Sequence, residues 1–148
     1  KSEQLAEALK RILQLTSDKW QLTMKSDMKK ENIVKDKSLS FAIRIVNLYK
    51  YLVAEKRETV MSKQLLRCGT SIGANIREAE QAQSRADFLS KQNIALKEAN
   101  ETEYWLELLM RTGFITQNEY ESINNDCVEL NKLLISIIKS TKQPNENQ

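Results

Sequence analysis

The chain has 148 residues, enough for one domain but not for two sizeable cores. Only 3 glycines and 1 proline occur, too few for the tight turns that an all-β or α/β fold of this length needs. With 29% charged residues, a net charge of +3 and no histidine, the chain lacks the means for Ser-His-Asp or Cys-His catalysis, His-ligated zinc and the Glu-x-x-His di-iron signature.

An all-α chain remains. Residues 1–27 read as an addition, because Met28-Lys29-Lys30 looks like a bacterial start. Within them Leu5, Leu9, Ile12 and Leu13 fall at i, i+4, i+7 and i+8, an amphipathic stripe on a helix that Ser2 can cap and that Thr16 to Trp20 can either break or follow with a second turn. An added helix or an engineered fusion explains this face better than a linker does, and its partner is unknown. Residues 29–37 are polar apart from Ile33 and Val34. The first bundle helix is expected near Ser38 as N-cap, with Phe41, Ala42, Ile45, Val46, Tyr49, Leu52 and Val53 inward and a polar stop at Glu55 to Thr59.

The second helix is expected from about Ser62 to Gln83, with Leu65, Leu66, Cys68, Gly69, Ile72, Gly73, Ile76 and Ala79 inward. Gly69 and Gly73 share one face, and each costs roughly 1 kcal/mol of helix propensity against alanine, which close approach of another helix would offset. The third helix opens on the Ser84 to Asp87 capping pattern, carries Phe88, Leu89, Ile94, Ala95, Ala99, Trp105, Leu106, Leu108 and Leu109, and ends before Gly113. The fourth opens on the Thr116 to Glu119 capping box and runs to about Lys142, ahead of Pro144. The domain reading is a 1–27 extension, a 28–142 bundle and a disordered 143–148 tail. Short connections imply an up-down-up-down antiparallel four-helix bundle with an additional N-terminal amphipathic helix.

Charge is distributed unevenly. Met28 to Arg67 carries 10 basic and 4 acidic residues, and Glu78 to Glu107 carries 3 basic and 7 acidic. The basic stretch offers Lys29, Lys30, Lys35, Lys37, Arg44 and Lys50 to a polyanion, although mixed-charge faces are usually just solvated. Cys68 and Cys127 sit on apolar stripes with no CxxC, as buried thiols of a cytoplasmic protein do. No run is long and apolar enough for a membrane span.

The densest polar cluster runs from Lys97 to Trp105. Glu98 and Glu101, joined by Glu78, are one reading of a divalent-metal site. The commoner reading is ion pairs with Arg67 or Arg77, since hard cations need more oxygen ligands. Ser62, Thr70 and Ser71 have no histidine to activate them, so no catalytic residue, metal or cofactor is assigned. Tyr104 and Trp105 offer base stacking, against core packing for Trp105 with the Tyr104 hydroxyl at a rim.

The stretch Gln64-Leu-Leu-Arg-Cys-Gly-Thr-Ser-Ile-Gly-Ala-Asn-Ile-Arg-Glu-Ala79 resembles the signature of four-helix-bundle proteins encoded in intervening sequences of bacterial 23S rRNA genes. Asp87-Phe88, Ile94 to Ala99 and Glu101 to Leu106 resemble its second signature, and the likeness spans about Lys30 to Lys142. The resemblance implies an antiparallel bundle assembling as a ring, a homopentamer, akin to accessory proteins of diversity-generating retroelements that bind nucleic acid and reverse transcriptase. It implies helix-packing roles for Gly69 and Gly73, and polar networks of Arg67, Arg77, Glu78, Glu98 and Glu101 within or between protomers. Residues 28–148 carry only +2, unlike the strongly basic retroelement branch. The expectation is therefore a non-enzymatic homo-oligomer with weak affinity for RNA or DNA, or a structural assembly module carrying its appended helix.

Overall fold

The computed structural model describes residues 1–142, so the tail expected at 143–148 lies outside the described residues. Among them are four helices and no strand: α1 (Ser2–Ala54), α2 (Met61–Glu80), α3 (Arg85–Arg111) and α4 (Gln117–Lys142). α1 packs on α2 and α4, and α3 packs on the same two, so each helix has two neighbours around a shared core.

α1 corrects the sequence reading. There is no separate N-terminal helix; one helix of 53 residues, about 80 Å long, runs through both expected interruptions. Ser2 caps nothing, and Ser38 is not an N-cap but a buried mid-helix residue whose hydroxyl donates to the Lys35 carbonyl. The first polar stretch is accommodated locally within the helix. Thr16 and Thr23 fold their hydroxyls back onto the carbonyls of Ile12 and Lys19, and Gln14 reaches Asp18 one turn on. No glycine or proline stands between Gln14 and Lys37 to stop propagation.

The core is built from Val34, Phe41, Ile45 and Leu52 of α1, facing Leu65, Ile72 and Ile76 of α2, Ala99, Leu106 and Leu109 of α3, and Ile123, Leu130 and Leu134 of α4. Leu5 and Phe41 are 36 residues apart, as are Leu9 and Ile45; that is ten whole turns of about 3.6 residues, so all four project on one side of α1. Residues 1–26 are nevertheless exposed throughout, and Asp27 is the first that the bundle partly covers. α1 is thus a core helix in its second half and a bare rod in its first.

The ends of the other helices are closed by side chains. Ser84 Oγ accepts from the Asp87 backbone N–H, and Thr116 and Glu119 exchange reciprocal bonds, each carboxylate or hydroxyl oxygen accepting a backbone N–H. Gly113 holds φ at +83°, the left-handed geometry of a helix stop. α2 is closed differently. The buried Glu58 carboxylate accepts from the backbone N–H groups of Val60, Met61 and Ser62, at 3.0, 2.8 and 2.7 Å. Burial by itself pushes this carboxyl up, but the three backbone bonds and the Ser62 hydroxyl outweigh it and hold it below the usual carboxylate range.

Candidate functional site

The six basic residues expected to face a polyanion divide into two sets. Lys35 pairs with Glu80 of α2 at 3.0 Å, Lys37 with Glu129 of α4 at 2.8 Å, and Arg44 with Asp126 of α4 at 2.7 Å. Arg44 also donates to the Ser122 carbonyl and hydroxyl. These three cations are engaged in holding α1 to its neighbours. Lys29 and Lys50 are exposed and carry no ion pair among the described residues. Lys30 donates its Nζ to Ser136 Oγ at 3.1 Å, across the α1–α4 seam.

That last contact marks a groove of about 510 Å³ lined by Lys30, Lys132, Ile135, Ser136, Lys139 and Ser140. No carboxylate lines it, and its three lysines make no ion pair among the described residues. Lys132 and Lys139 are absent from the set read from the sequence, although a signal exists. Lys132, Ser136, Lys139 and Ser140 recur at i, i+4, i+7 and i+8, one polar face of α4. A second groove of about 500 Å³ lies beside Arg44, with Leu48, Ile115 and Ile123 as its apolar lining and Asn47, Asn118 and Ser122 among its polar ones.

The candidate polar network is also divided. Arg67 reaches Glu101 at 2.6 Å and Glu98 at 3.5 Å, joining α2 to α3. The Arg67 hydrogen bond holds the Glu101 carboxyl below its ordinary range, and Trp105 adds its indole N–H at 3.3 Å. Glu78 pairs with Lys91 at 2.7 Å rather than with either arginine, and Arg77 makes no ion pair among the described residues. Glu98 and Glu101 therefore meet on a guanidinium, with Glu78 committed elsewhere. Among the described residues no three His, Cys, Asp or Glu side chains converge in a way that would hold a metal.

Gly69 and Gly73 line the α1–α2 contact. A Cβ on Gly69 would lie 2.9 Å from both γ-carbons of Ile45, and one on Gly73 would lie 3.2 Å from Ser38 Oγ. Trp105 packs against the core and meets the exposed Tyr104 edge to face, with ring centroids 5.1 Å apart. Cys68 and Cys127 are free and buried, and burial pushes both thiols up, away from the reactive thiolate.

Sequence reading did not foresee the buried polar residues Gln92, Thr102 and Asn131. Asn131 donates to Glu103 at 2.7 Å, and burial raises the Glu103 carboxyl against the lowering effect of Asn131 and Asn124. Among the described residues no helix is long and apolar enough to cross a membrane.

Residues 30–136 match the family model described as 23S rRNA-intervening sequence protein. The chain is also similar to a crystal structure, determined at 1.70 Å, of a protein with unknown function from the S23 ribosomal protein family of Bacteroides thetaiotaomicron VPI-5482. The two are 79% identical, with a TM-score of 0.74, and the match covers 74% of this chain and 98% of that one. No curated protein matches. The family match takes in nearly all of the packed bundle and leaves out the bare half of α1, and the chain belongs to the 23S rRNA-intervening sequence protein family.

Proposed function

We propose that the protein is a non-enzymatic, homo-oligomeric helical bundle that binds RNA or DNA weakly, through the α1–α4 groove of Lys30, Lys132 and Lys139 with Lys29 beside it. The observation that carries this reading is that the groove's three lysines are unpaired among the described residues and that no carboxylate lines the groove. Unpaired lysines over hydroxyl-lined ground suit a phosphate backbone: the ammonium groups supply charge, and Ser136 and Ser140 supply donors. Lys35, Lys37 and Arg44 contribute less, because binding would first break their ion pairs. A family named for 23S rRNA intervening sequences makes RNA the first nucleic acid to try.

The bundle itself reads as antiparallel and up-down-up-down. Lys30 meets Ser136, Lys37 meets Glu129 and Arg44 meets Asp126, so rising numbers in α1 meet falling numbers in α4. Arg67 and Glu101 set against Glu78 and Lys91 support the same sense for α2 and α3. A ring, pentameric by family likeness, would repeat the groove and turn a few weak contacts into useful avidity.

Binding of labelled 23S rRNA fragments across a salt series tests this. Affinity should fall steeply with salt, and Lys132→Gln or Lys139→Gln should each flatten the log–log slope by roughly 0.7–0.9, while Lys35→Gln leaves it nearly unchanged. No affinity at low salt overturns the proposal. The bare half of α1 favours a second reading, a structural assembly module in which the extension is the working part.

A further inference from the structure

Asn131 of α4 is nine-tenths buried, and its Nδ2 donates to Glu103 Oε2 of α3 at 2.7 Å. Asn124, two turns earlier on the same face of α4, bonds the same carboxyl. Yet the Oδ1 atoms of both amides are shut away from solvent and meet no hydrogen-bond donor. A buried carbonyl oxygen without a donor costs free energy. The α3–α4 seam thus holds a carboxylate and two unpaired acceptors side by side.

No cation balances them. The titratable groups of α4 that face Glu103 are Tyr120 and Cys127, and burial pushes both up, so both are neutral. Asp126 is turned to Arg44, and Lys132 to the groove on the α1 side. On α3 itself Glu107 pairs with Arg111. The α2 side of α3 is taken up by Glu98 and Glu101 on Arg67 and by Lys91 on Glu78. Among the described residues nothing beside Glu103 converges into a metal site.

We infer that Glu103, with Asn131 and Asn124, is a proton-binding site that tightens the α3–α4 seam as pH falls. A proton is the cation that suits oxygens closed to solvent, and half-buried Glu103 is its entry. Protonation turns one carboxyl oxygen into an O–H donor. That O–H donates to an amide Oδ1 while the other carboxyl oxygen still accepts an Nδ2–H. The same event removes an uncompensated charge and satisfies an orphan acceptor. Burial, the largest influence on this carboxyl, raises it in the same direction. The linkage is opposite to that of a lowered carboxyl such as Glu58. Its contribution is complete below the unfolded value of about 4.3 and is lost as pH rises through the higher folded value.

Glu103→Gln places a permanent N–H donor where the proton would sit. In urea unfolding of the full chain it should be more stable than wild type at neutral pH, and the two should converge below about pH 4. Glu31 is also raised, by burial and by Asp27 and Glu80, so the difference between the two proteins is what is read. For each unit by which Glu103 titrates above about 4.3, the folding constant of Glu103→Gln should gain up to about tenfold over wild type at neutral pH. Glu103→Met, of similar length and without a donor, should fall below Glu103→Gln. Carbon-13 NMR of the wild-type glutamate carboxyls follows the proton directly, and Glu103 should titrate above about 4.3. Titration of Glu103 at or below that value, a gap between Glu103→Gln and wild type that ignores pH, or equal stability of Glu103→Met and Glu103→Gln would each overturn the inference.

Discussion

Leu9 and Ile45 occupy the same side of one unbroken helix, yet Leu9 is 58% exposed and Ile45 is fully buried. The helical backbone is continuous through both, so secondary structure does not distinguish them. Partners do: Ile45 is met by α2 at Gly69, whereas among the described residues nothing stands over Leu9. In the first half, good helix formers carry the helix, and Thr16 and Thr23 are accommodated by back-bonding. In the second, tertiary burial holds it and supplies most of the stability.

The sharpest way to break that contrast is to truncate one side chain in each half. Leu52→Ala removes a fully buried leucine and should cost about 2–5 kcal/mol in denaturant unfolding, whereas Leu9→Ala should leave the bundle's own transition within about 0.5 kcal/mol. Comparable losses would mean that the bare half is part of the cooperative core. The next largest effect separates the two glycines. Gly69→Ala drives a methyl to 2.9 Å from both γ-carbons of Ile45, which a β-branched side chain cannot yield by turning. Overpacking should outweigh the helix gain, for a net loss of about 1–2 kcal/mol. At Gly73 the tight neighbour is a serine hydroxyl at 3.2 Å, which can give, so Gly73→Ala should fall between neutral and about 1 kcal/mol stabilising. Equal effects at both sites would refute the close α1–α2 approach at Gly69.

Much of the bundle is legible because its signals are local. The Ser84 to Asp87 and Thr116 to Glu119 patterns sit at helix starts, Gly113 sits just past a helix end, and the stripes of α2 and α4 repeat at 3.6 residues. The continuity of α1 is not legible, because Thr16 to Trp20 and residues 29–37 look like breaks by polarity alone, and the back-bond by which the Thr16 hydroxyl is accommodated shows only in three dimensions. The candidate site is legible in part for a related reason. A lysine in a sequence shows its charge but not its partner. Lys35, Lys37 and Arg44 prove to be paired with acids far along the chain, while Lys132 and Lys139, on another helix, complete the groove that Lys30 begins.

The last effect, about half that expected at Leu52 or less, tests what stops a helix here, since the chain passes Thr16 to Trp20 unbroken and turns at Glu55 to Val60. Arg57 adopts a positive φ of 53°, and Glu58 then gathers three backbone N–H groups that α2 leaves without internal partners. Glu58→Ala strips that cap and should cost about 1 kcal/mol at neutral pH. The pH dependence follows from the lowered Glu58 carboxyl. Its contribution is complete above the unfolded carboxylate value of about 4.3 and is lost as pH falls through the lower folded value. The gap between wild type and Glu58→Ala, read by urea unfolding, should therefore narrow on acidification. A gap that stays constant into strong acid would mean that the turn is held by backbone geometry at Arg57 and not by the carboxylate, and the difference between the two polar stretches would then lie in φ rather than in capping.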